Sequence, residues 1–139
     1  MKFKYWPVMG VSDSRGKMVK RPMLELELLG TKGNKISGLG LVDSGADTTM
    51  LHIQYATAPG LILDATKTKD VIGVGSGRVK VYTGPLRLKI KHLDKELEVP
   101  AWFVDSENVN ILLGQEVFFE MFRIKFEKDH DTFEVTASF

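Results

Sequence analysis

Apolar and polar residues alternate along this chain in short runs. The stretch MLELELLG (residues 23–30) sets Leu24, Leu26 and Leu28 around Glu25 and Glu27. That is the period of a strand with one face buried. TKGNK (31–35) supplies a turn, and ISGLGLV (36–42) returns as a second strand that ends on Asp43. Further strands are predicted at 71–82, 86–91, 97–104, 123–126 and 132–137, each bounded by Gly, Pro, Asn or Asp. Short strands with such punctuation indicate an all-β sandwich or barrel. One helix is predicted, over QEVFFEMF (115–122), where Val117, Phe118, Met121 and Phe122 share a face that reads as core. RIKFEKDHDTFEVTASF (123–139) reads as an extra hairpin with His130 in its turn, and Trp6 as a core residue of an N-terminal strand. No repeat or linker divides the chain, so residues 1–139 are expected to form one domain.

The 139 residues, 43% of them hydrophobic, are enough for one sizeable core and too few for two lobes. The formal net charge of +1 gives no field to hold nucleic acid or an anionic membrane, so neither partner is expected. The basic cluster SRGKMVKR (14–21) reads as a solvated loop. There is no cysteine, which suits a reducing compartment, and the expected location is cytoplasmic. The start MKFKYWPVMG lacks the apolar run of a signal peptide, and no stretch approaches the ~20 apolar residues of a membrane helix. His52, His92 and His130 lack metal-ligand spacing, so neither metal nor cofactor is expected.

Against this ordinary background, GLGLVDSGADTTMLH (38–52) stands out. Leu39, Leu41 and Val42 carry a strand into the core, and Asp43 leaves it there. An unpaired carboxylate close to a core costs several kcal/mol, so its presence asks for a task. Asp-Ser-Gly alone is a common turn, because Asp and Ser bond their own backbone and Gly accepts positive φ. The context adds weight: Ala46 admits little more than a methyl, and Thr48 and Thr49 supply hydroxyls. Downstream, DVIGVGSGRVKVY (70–82) sets Gly73, Gly75 and Gly77 between strand-like arms. A phosphate cradle would lead into a helix, whereas a strand follows here. NILLGQEVFFEMF (110–122) brings the apolar strand Ile111, Leu112, Leu113 to Gly114, which permits close packing.

Together these pieces resemble the retropepsins, the single-domain aspartic proteases of the retroviral type. RPMLELELLG is similar to the family's strand before the active site, LVDSGADTTML to its Asp-Ser/Thr-Gly-Ala loop, VIGVGSG to its flap, and ILLGQEVF to its Ile-Leu-Gly-helix close. The resemblance spans residues 21–126 and implies a closed β-barrel protomer with a glycine-rich flap hairpin and one short C-terminal helix, working as a homodimer on peptide or protein substrates. It implies that Asp43 is the catalytic carboxylate, Ser44 links the two loops across the dimer axis, and Gly45 and Asp47 meet substrate main chain. Ala46 and Thr48 complete that loop. Ile72, Gly73, Val74, Gly75, Ser76 and Gly77 would form the flap, and Ile111, Leu112, Leu113 and Gly114 would support the site. Leu41, Val74, Val81 and Ile111 are expected to line substrate pockets. The sequence departs from the family at Gln115. Viral members carry Arg or Lys there, paired with the acidic residue matching Asp47, so an amide hydrogen bond is the expected substitute. The longer termini imply a rearranged terminal sheet.

Hydrolysis without a metal or a nucleophilic side chain needs one carboxylate to take a proton from water while another acid protonates the carbonyl oxygen. Two close carboxylates sharing one proton do both. Only one Asp-Ser-Gly occurs, since SDSRG (12–16) and VDSEN (104–108) lack glycine after serine, and a symmetric dimer supplies the second acid. Two other readings stay open. A dUTP pyrophosphatase-like hydrolase also has short strands and a Gly-rich loop, but that loop lies at the extreme C-terminus, whereas GVGSG is central. A catalytically weak peptide-binding or dimerisation module is the other.

Overall fold

The computed structural model describes residues 1–72, 77–106 and 110–139. The strands are β1 (Lys2–Lys4), β2 (Trp6–Ser12), β3 (Met18–Arg21), β4 (Met23–Leu29), β5 (Lys35–Val42), β6 (Thr49–His52), β7 (Thr68–Ile72), β8 (Arg78–Ile90), β9 (Glu96–Val104), β10 (Ile111–Leu113), β11 (Phe122–Glu127) and β12 (Thr132–Ala137). The order β4-β5-β10-β6-β9-β8 closes on itself because β8 also pairs with β4, Leu26 facing Ile90 and Leu28 facing Leu88. The result is a six-stranded barrel with β7 attached to the far end of β8.

Alternation builds its core. Leu24, Leu26 and Leu28 point inward and are fully buried, as are Leu86, Leu88, Ile90, Val99, Phe103, Ile111 and Leu113. Burying such a side chain contributes about 1.5–3 kcal/mol. The outward Glu25 and Glu27 meet Lys91 and Lys35 at 2.9 and 3.7 Å.

The stretch 71–82, expected as a strand, falls in β7 and β8, and the strand expected at 86–91 continues β8 without a break. Gly84 and Pro85 do not break it, because pairing with β7 ends at Tyr82 and pairing with β4 begins at Arg87. Pro85 falls in the gap, where no ladder donor is needed.

The expected helix over 115–122 is shorter and bent. A π-helical turn covers Gln115–Phe119, but Glu116 (ψ 119°) is extended and Val117 (φ 65°) is left-handed. Backbone bonds tie residues 115 and 116 to a neighbouring loop, and the Glu120 carboxylate accepts the Val117 N–H at 3.1 Å. Phe118 and Phe122 still reach the core, Phe122 as the first residue of β11. A four-residue helix, α1 (Gln54–Thr57), follows β6.

The extra C-terminal hairpin is present: β11 and β12 are joined by the turn Lys128–His130, which contains His130, and β1 adds to β12 as a third strand. Phe3 stacks on Phe133 at 5.6 Å and Tyr5 meets its edge at 5.8 Å. Two expectations fail near the N-terminus. The cluster 14–21 is not all loop, since residues 18–21 form β3 against β2, whose Val8 and Val19 are half-buried. Trp6 does lie in a strand, but β2 packs outside the barrel and leaves Trp6 39% exposed rather than in a core.

Asp131 ties these parts together, accepting from Lys128 at 2.9 Å and Lys20 at 3.2 Å. Those two hydrogen bonds hold its carboxyl below the ordinary value of 3.8. A lowered folded value stabilises the fold above the ordinary value, and this contribution disappears as pH falls through the lowered one. Acid unfolding followed by circular dichroism should therefore show a small loss of stability below about pH 3.8. Asp131→Asn should flatten that part of the profile, and an identical profile in the variant would contradict the tether.

Candidate active site

The site is built where β5 ends. The Val42 N–H donates to the Pro22 carbonyl at 2.9 Å, and the Asp43 N–H to the Leu113 carbonyl at 3.0 Å. The Asp43 backbone is thereby fixed by β10. Its side chain is half-buried, and Oδ1 accepts the Gly45 N–H at 2.9 Å. This is the Asx turn that Asp-Ser-Gly favours. A Cβ at position 45 would approach that oxygen to 3.2 Å, so glycine keeps the turn tight. Ser44 and Gly45 are exposed at the tip.

A second chain segment locks the loop from below. A Cβ on Gly114 would lie 2.5 Å from the Thr48 carbonyl carbon, 2.6 Å from its oxygen and 2.9 Å from the Ala46 oxygen. Only glycine fits there without moving the backbone. The Gly114 N–H donates to Oγ1 of the fully buried Thr49 at 3.2 Å. The Gln115 N–H donates to the Ala46 carbonyl at 2.8 Å, and the Glu116 N–H to the Asp47 carbonyl at 2.9 Å. The Gln115 side-chain amide donates to the Ser44 carbonyl at 2.7 Å. Three loop carbonyls therefore find their donors in residues 115 and 116.

The amide of Gln115 thus serves Ser44 and not Asp47, whose exposed carboxylate has no hydrogen bond among the described residues. The amide hydrogen bond expected to replace the viral basic residue at Asp47 is therefore made to Ser44 instead. Thr48 donates to Glu116 at 3.3 Å. Thr48 and Glu116 also border a groove of about 620 Å³ that reaches Trp102 and Val117. Lys69 sits 4.9 Å above the Trp102 ring.

Of the support residues, Ile111 and Leu113 are fully buried and Leu112 is half-buried. Gly38 and Gly40 make room for them: a Cβ on Gly38 would come within 2.5 Å of Ile111 Cδ1. The alternate spacing of these glycines in SGLGL is the sequence signal of that close packing. Val81 and Ile111, expected to line pockets, are instead fully buried, Ile111 within the apolar core. Leu41 is half-buried. In the segment expected to form the flap, Val71 pairs with Val79 and Ile72 with Arg78, and Gly77 is exposed. Gly73, Val74, Gly75 and Ser76 lie outside the described residues. No group of three or more metal-ligating side chains occurs among the described residues.

A family model described as aspartyl protease matches residues 31–117, from the turn before β5 to the bend after β10. The retropepsin-like aspartic protease from Rickettsia conorii is similar in structure, with a TM-score of 0.58 and 18% identity over 98% of each chain. The retroviral protease-like domain of Ddi1 from Leishmania major gives 0.57 and 16%, over 81% of this chain and 87% of that one. EIAV protease, solved with the inhibitor HBY-793, gives 0.54 and 21%, over 79% and 93%. At these identities the likeness is one of fold, and the barrel is retropepsin-like. No curated protein matches the chain in sequence.

Gly114→Ala should destabilise the fold by about 1–3 kcal/mol, the usual cost of overpacking. Gln115→Ala, which deletes one hydrogen bond at the surface, should cost about 0.5–1.5 kcal/mol. Urea unfolding monitored by tryptophan fluorescence reads both, and a Gly114→Ala variant as stable as the parent would refute the close crossing.

Proposed function

The chain belongs to the aspartyl protease family, and from that premise we propose that it hydrolyses peptide bonds as a homodimer in which Asp43 of each copy faces the other. The observation that carries this reading is the setting of Asp43. It is half-buried, on a loop fixed by Leu113, Gly114 and Gln115, beside an exposed Ser44-Gly45 tip. Residues 1–139 act as one domain in this reading.

One carboxylate per chain cannot both take and give a proton, but two brought close together can share one. In the proposed cycle the ionised member takes a proton from a bound water. The oxygen of that water forms a bond to the scissile carbonyl carbon, while the protonated member gives its proton to the carbonyl oxygen. The tetrahedral gem-diol then breaks its C–N bond as the carboxyl that took the water proton gives it to the departing nitrogen and the other carboxylate takes a proton from one hydroxyl, which leaves a carboxylic acid and an amine and restores the shared proton. Ser44 links the two loops across the axis, and Gly45 and Asp47 hold substrate main chain. The paired strands β7 and β8 lie over the bound peptide and exclude water.

A second reading has one specific observation in its favour. With Gln115 in the place of a basic residue, the Asp47 carboxylate has no cationic partner among the described residues, which suits a peptide-binding module of weak activity.

Asp43→Asn separates the two. In the protease reading it should lower cleavage of an unstructured protein by a factor on the order of 10²–10⁴, with strand content unchanged by circular dichroism. Cleavage equal in parent and variant removes Asp43 from the chemistry, and peptide binding without cleavage in the parent supports the module.

A further inference from the structure

Residues 6–21 form a hairpin of β2 and β3 whose strands, among the described residues, pair only with each other. A lone two-stranded hairpin is at best marginal in water. This one also displays Met9, Met18, Val11 and Trp6 at 79, 48, 40 and 39% exposure, four of the eight large apolar side chains exposed among the described residues. Scattered exposed apolar residues are ordinary, but several on one element outside the barrel mark a contact surface.

The root of the hairpin lies at the site. Arg21 pairs with Trp6, and the next residue, Pro22, accepts the Val42 N–H one position before Asp43. Any copy that brings its own Asp43 up to this one must approach the surface from which the hairpin emerges. The terminal strands, in contrast, are matched within the chain: β1 pairs with β12 through Lys2–Glu134, Phe3–Phe133 and Lys4–Thr132, and β12 pairs with β11. The charges of the hairpin are in part neutralised locally, Arg15 by Asp13 at 3.0 Å and Lys20 by Asp131 at 3.2 Å. Its apolar side chains therefore have more to gain from a partner than its basic ones.

We infer that residues 6–21 are a dimerisation arm, which lies against a second copy of this chain and holds the two Asp43 loops together. The identity of the occupant rests on the proposed function, because the site is incomplete without a second aspartate. The contact is isologous, each copy gripping the other, so one substitution acts twice per dimer.

The test uses the full chain carrying Met9→Asp and Met18→Asp, two exposed positions outside the catalytic loop. Sedimentation velocity across concentration should show the dimer weakened roughly a hundredfold, as expected for losing anchor residues on both symmetry-related arms. Cleavage should fall on dilution and return as protein concentration is raised. A photo-crosslinking residue at position 9 gives an independent reading: covalent dimers in the otherwise unaltered chain support the arm, even where the double variant fails to fold. A wild-type dimer whose association is unchanged by the double variant overturns the arm and leaves the protease reading standing. A wild-type chain that stays monomeric at all concentrations overturns the dimeric reading, and the arm with it.

Discussion

Two backbones cross at Gly114 with no side chain between them, and the rest of the site depends on that contact. A methyl group there would overlap the Thr48 carbonyl, so the loop at 43–48 can sit against residues 114–116 only because position 114 is glycine. The crossing brings the N–H groups of 115 and 116 to the carbonyls of Ala46 and Asp47, and the Gln115 amide to Ser44. A buried backbone group left without a partner costs about 1–3 kcal/mol, so a loop that turns this sharply at the barrel surface needs such donors from outside itself. The same contact places the Leu113 carbonyl under the Asp43 N–H and positions the carboxylate without any ion pair among the described residues.

The barrel supplies what the crossing cannot. Strand β10 is three residues long, yet it lies between β5, parallel, and β6, antiparallel, so both neighbours fix it. Gly38 and Gly40 let Ile111 and Leu113 sink into the core from that position. A rigid frame that presents an exposed loop suits chemistry that relies on preorganised carboxylates. It also explains the interest of a second copy, since the frame orients one aspartate and the proposed reaction needs two.

Much of this was legible in the sequence because it is local. The alternation of Leu and Glu from 23 to 29 dictates which face of β4 is buried, and Asp-Ser-Gly behind an apolar strand marks the turn at 43–45. Gly114 announced a close approach, which the structure identifies as Thr48. What escaped depends on partners distant in the chain. The helical spacing of Val117, Phe118, Met121 and Phe122 predicts a regular helix, but hydrogen bonds from 115 and 116 to a loop 69 residues earlier hold Glu116 extended and force Val117 to positive φ. The Gln115 amide had several carbonyls within reach, and only the folded loop decides in favour of Ser44. The basic character of residues 14–21 concealed a strand, because β3 takes its order from β2 and not from its own pattern.

The central claim, that two copies each give Asp43 to one reaction, is tested most directly by mixing subunits. Wild-type chain is denatured together with an equal amount of Asp43→Asn chain and refolded, so that the copies pair at random. If both carboxylates are required, hybrid dimers are inactive, and cleavage per wild-type chain falls to about half of that in a sample refolded alone, since about half of those chains are then in hybrids. Cleavage per wild-type chain that is unchanged by the variant at every mixing ratio would show that each chain acts by itself, and would contradict the shared site.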